Sequence, residues 1–76
     1  MIPDNDAGGP LLAEATRELE AAIHDARVAF DCIGLDELDR AHTAAVMART
    51  AIDAAVTAVQ AALAQTAREP AAGRES

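Results

Sequence analysis

Asp39-Arg40-Ala41-His42 sets a carboxylate and an imidazole three residues apart. On a helix that spacing puts both groups on one face, the arrangement that helical carboxylate and histidine ligands use to hold paired metal ions. Glu20 is the candidate third ligand from a second helix, and two copies of such a helix pair would be needed to enclose a dinuclear site. The motif carries the shorter Asp where those ligand sets carry Glu, and Arg27 and Arg49 fall on the same flank, where they would repel a cation. The expectation is therefore no resident metal and no cofactor, with His42 half-buried and hydrogen-bonded instead.

His24 has Glu20 one turn before it and Val28 one turn after, and is expected on the solvent side. Cys32 is expected to point outward beside Val28 in a small apolar spot. A neighbouring Asp31 and a helix C-terminus both oppose a thiolate, so nucleophilic chemistry is not expected there. A single cysteine makes no internal disulfide, which favours the reducing cytoplasm. Phosphate loop, nucleophile elbow, catalytic triad order and paired zinc ligands are all missing from the sequence, and the chain reads as a non-enzyme.

Two helices must position whatever function there is. Residues 1–10 read as a flexible acidic arm closed by Gly8-Gly9-Pro10. From Leu11 to Ile33, the residues Leu12, Thr16, Leu19, Ile23, Ala26, Phe30 and Ile33 recur at steps of four and three, the seam of one helix. Gly34 is expected to end it in the left-handed conformation, and Asp36 to cap the next, with Asp36 and Arg40 as an i,i+4 pair. The second helix runs from Asp36 to Arg68 with a seam of Leu38, His42, Ala45, Arg49, Ile52, Val56, Val59 and Leu63. Pro70 follows, and residues 69–76 read as a disordered tail. So short a connection makes the helices antiparallel neighbours, giving an all-α, two-helix hairpin as the fold class.

Beside each seam runs a series at seven-residue spacing: Ala15, Ala22 and Ala29, then Ala41, Ala48, Ala55 and Ala62. Small side chains let another helix come close, so these residues are expected to form a partner-docking face. Val59, Ala62 and Leu63 add to it as an overhang of the longer second helix. The opposite flank, with Glu20, Arg27, Asp31, His42, Arg49, Asp53 and Gln60, should be solvated, with Glu20 and Arg49 level enough to pair across the hairpin.

Composition narrows the partner. The 76 residues include 21 Ala, one Phe and no Lys, Trp or Tyr, so little bulk is available for an interior. A net charge of -7, with Arg residues never clustered, disfavours nucleic acid and anionic membranes. Arg49 and Asp53 interrupt the longest apolar stretch, Ala41 to Leu63, and argue against a membrane span. The partner is expected to be protein, either a second copy or another helical protein, and two hairpins are expected to pair as a four-helix bundle. That makes the chain an accessory subunit, regulator or scaffold. A ferritin-like di-metal bundle using Glu20, Asp39 and His42 is the catalytic alternative. In outline, an Ala-rich bacterial hairpin with Cys32-Ile33-Gly34 at its turn resembles the WXG-type secreted helical hairpins, which implies export as a further alternative. Cys32 stands in place of that family's Trp, and its tyrosine-based export signal has no counterpart here.

Overall fold

The computed structural model describes residues 9–68 as two helices, α1 (Gly9–Gly34) and α2 (Leu38–Arg68), packed side by side as an antiparallel hairpin. Among the described residues there is no strand. Residues 1–8 of the expected arm and the expected tail at 69–76 lie outside the described residues. Gly9 and Pro10, expected in the arm, begin α1 instead. Proline suits a first helical turn, where its missing N–H would have had no partner. α1 has 26 residues and α2 has 31, so the overhang is about half of the ten residues expected.

The turn is built differently from expectation. Gly34 closes α1 with no left-handed backbone, and Asp36 takes that conformation with φ 65°. The Glu37 amide donates to the Cys32 carbonyl at 2.8 Å and the Asp36 amide to the Ile33 carbonyl at 3.0 Å. These are the two bonds of a Schellman ending, with Asp36 at the position glycine usually holds. Asp tolerates this region better than most side chains. Glu37 then caps α2: its carbonyl accepts the first helical bond, from the Ala41 amide at 3.0 Å. Its carboxylate takes Arg40 at 3.0 Å in place of the expected Asp36–Arg40 pair.

Packing reverses the two apolar stripes. The buried side chains are Ala15, Ala22, Ala29 and Cys32 on α1 and Ala41, Ala44, Ala51, Ala55, Ala58 and Ala62 on α2. With half-buried Leu11, Glu18, Asp25 and Ala48, they make two heptad series: 11, 15, 18, 22, 25, 29, 32 and 41, 44, 48, 51, 55, 58, 62. All seven positions of the second series are Ala. Folding about the turn sets Ala15 level with Ala58, Ala22 with Ala51 and Ala29 with Ala44, so methyl groups face methyl groups along the hairpin. The expected seam lies outside instead, with Leu12, Leu19, Ile23, Phe30, Ile33, Leu38, Ile52, Val56, Val59 and Leu63 all exposed.

The physical reason is that two helices alone form one layer, and each can turn only a narrow strip toward the other. A strip of Ala allows close approach, toward the short end of the ~8–10 Å range between helix axes. The bulky stripe, roughly 100° around each helix, then points out of the layer.

Two measurements test this arrangement. Ala22→Leu or Ala55→Leu places an isobutyl group where backbones nearly touch, and is expected to destabilise the hairpin by about 1–3 kcal/mol in urea unfolding at fixed protein concentration. At the turn, Asp36→Gly is expected to stabilise by about 0.5–1 kcal/mol and Asp36→Val to destabilise by about 1–2 kcal/mol, since only glycine takes positive φ freely. Gly34→Ala should be tolerated, because a Cβ there meets nothing within 4 Å. A loss of stability in Asp36→Gly would place the chain reversal elsewhere.

Candidate interaction face

The exposed apolar side chains are not scattered. On α1, Leu12, Leu19, Ile23, Phe30 and Ile33 fall within about a 100° arc at 100° per residue, flanking the Ala series on one side. On α2, Leu38, Ile52, Val56, Val59 and Leu63 flank it on the same side of the layer, and Leu19 lines one apolar groove with Ile52, Val56 and Val59. One broad face of the hairpin thus carries an apolar strip from the open end to the turn, broken on α2 by His42, Ala45 and Arg49 between Leu38 and Ile52. Phe30, 77% exposed, and Leu35 in the turn, 67% exposed, are its most open members.

The other broad face is different in kind. Near the turn a cleft of ≈ 400 Å³ lies between His24, Asp25 and Val28 of α1 and Asp39, Thr43 and Met47 of α2. Toward the open end a second cleft, ≈ 280 Å³, is lined by Leu11, Glu14, Thr57 and Ala61. Acids, hydroxyls and small residues share this face with Arg40, Val28 and the exposed Met47, as on an ordinary solvated surface. Glu14, Glu18, Asp25 and Asp39 all lie toward this side, so much of the negative charge is held away from the apolar strip.

Of the residues expected to receive a partner, Ala15, Ala22, Ala29, Ala41, Ala55 and Ala62 are buried between the chain's own helices, and Ala48 is half-buried. They hold the hairpin together and leave no free surface. Val59 and Leu63 are exposed, at 37% and 64%, and belong to the apolar strip. Ala62, expected as part of an unpaired overhang, is covered. The Leu12 to Leu63 heptads, expected as the seam between the helices, form the exposed strip instead.

The residues with chemical potential are dispersed. Glu20, Arg27, Asp31, Arg49, Asp53 and Gln60 are exposed, as expected for that flank. His42 is exposed too, where half-burial was expected, because the stripe it belongs to faces out of the layer. Among the described residues no ion pair joins Glu20 to Arg49, which sit on the outer edges of opposite helices. Glu20 lies about eleven residues along the hairpin from the level of His42, roughly 16 Å. Among the described residues no cluster of three His, Cys, Asp or Glu side chains is placed to hold a metal ion. His24 is exposed and lines the cleft. Cys32, expected outside, is buried in the seam near the turn, because it continues the series 22, 25, 29 at the same heptad spacing.

By length and composition α2, over Leu38–Ala67, also passes as a helix able to cross a membrane, its most apolar 18-residue window having a mean hydropathy of 1.2. Arg49 and Asp53 lie in its middle. Compared with known proteins, the chain matches no family model, no curated protein and no solved structure.

Proposed function

We propose that this chain is a helical protein–protein interaction module, an accessory subunit, regulator or scaffold, and that it works by burying its apolar strip against a second helical layer. The observation that carries this is an inversion: the interior consists of Ala and Cys alone, while the large apolar side chains stand exposed. An Ala seam supplies few buried methylenes to offset the ordering of two long helices, at ~0.8 kcal/mol per buried CH₂. The strip holds the missing hydrophobic material. At half exposure or more for most of its members, it presents on the order of 1,000 Å² of apolar surface, well beyond the few hundred Å² that soluble monomers ordinarily leave in one patch.

A second copy is the partner that fits best. Facing strips would bury about 2,000 Å² in total, at the upper end of the standard interface range and in the range where obligate pairs begin. The product is a four-helix bundle with the strip as its core and the Ala seams as the tight contacts within each layer. Charge does not oppose it. The residues rimming the strip, Glu20, Arg27, Asp31, Arg49 and Asp53, carry both signs and nearly balance, despite the net charge of -7 for the whole chain.

Sedimentation equilibrium at micromolar concentration tests the proposal, with a mass of twice 7.8 kDa as the expected result. Ile23→Glu or Ile52→Glu places a carboxylate in the strip, twice per symmetric pair, and should weaken association by at least ~100-fold. Thr57→Gln on the opposite face should leave it unchanged. A helical monomer at high concentration, or a chain that enters zwitterionic lipid vesicles rather than pairing, would sink the proposal.

A further inference from the structure

The strip also carries information about direction. We infer that the two copies pack head to tail, turns at opposite ends, about a two-fold axis crossing the middle of the hairpin. This inference rests on the pairing just proposed and adds its register.

The first argument is spacing. On α1 the strip positions 12, 16, 19, 23, 26 and 30 read the same from either end about position 21, and on α2 those from 38 to 63 do so about a point between 50 and 51. The fold about Leu35–Glu37 brings these two midpoints to the same height within about two residues, roughly 3 Å at most. A single axis in the interface plane, perpendicular to the helices, therefore serves both helices at once. Each of these positions then meets a strip position of the partner, with His42 on Val59 and Arg49 on Ile52; Ile33 alone falls beyond them, level with Gly9.

Volume is the second argument. The strip is uneven: Phe30, Ile33 and Leu38 crowd the turn end, while Ala26 and Ala45 share one level just beyond them. If both turns lay at the same end, that level would hold four Ala side chains and leave a void, and the next would hold both copies of Phe30. Head to tail, Ala26 and Ala45 meet Thr16 and Val56 of the second copy, and Phe30 meets Leu12. Setting small side chains against larger ones narrows the difference between layers and so limits cavities, whose cost grows with their size.

The ends are the third. Leu63, level with Pro10 at the open end, is 64% exposed, and Leu38 beside the turn is 62% exposed. Head-to-tail packing sets Leu63 on Leu38 of the second copy, and its reverse, covering both ends. With turns together, neither finds the other. At the rim the same register brings Arg49 level with Asp53 of the second copy, in two symmetric pairs that fix alignment.

Pulsed electron–electron spin resonance distances on the full chain decide it. In a Cys32→Ala background, which keeps the seam small, a nitroxide at Glu37→Cys is expected to give an inter-copy distance of roughly 40–45 Å at 1.5 Å per residue. A label at Asp39→Cys, two residues further along, should give about 35–40 Å. Should one variant fail to pair, the other still reports. Distances of about 20 Å at either site overturn the head-to-tail register while leaving the pairing intact. A monomeric parent chain in sedimentation defeats the pairing itself, so the two failures are told apart.

Discussion

How near two helices can come is decided by the side chains between them, and in this hairpin those side chains are almost all Ala. Among the described residues, nine of the ten buried ones are Ala and the tenth is Cys32. The close approach this permits aligns the helices along their length and rotates each so that its bulky stripe leaves the interface. Exposure of the apolar strip and its separation from the more polar face both follow from that one contact. A Leu seam would have held the helices farther apart and turned the Ala stripes outward.

The turn supports the same geometry. The Schellman ending at Asp36 and the Glu37 cap reverse the chain within three residues, Leu35 to Glu37, and so set the level at which the two seams meet. Register matters more here than in a mixed core. A shift by one residue would move Ala out of the seam on one helix and bring a long side chain between the backbones. The fixed turn and the uniform Ala series therefore constrain each other.

Among the described residues no cluster of His, Cys, Asp or Glu is gathered to hold a metal ion. The clefts between the two helices are open, and the charged residues sit along the edges of the layer where water reaches them. The proposed partner of a broad apolar strip with a nearly neutral rim is accordingly another apolar, helical surface, an inverted copy of the same chain.

From the sequence alone, the two helices, their extents to within about two residues, the short reversal between them and the solvated charged flank were all legible. Heptad spacing, helix propensity and breaker residues act locally, and the chain states them directly. Which of two parallel stripes would face inward was not legible. Periodicity marks the small series Ala15, Ala22 and Ala29 and the bulky series from Leu12 to Ile33 equally well. The rule that large apolar residues go inside presumes an interior wide enough to hold them. Only the tertiary structure shows that one hairpin has no such interior: two helices meet along a line, Ala lets that line close most tightly, and Cys32 is buried with it while Leu, Ile, Val and Phe remain on the face left open.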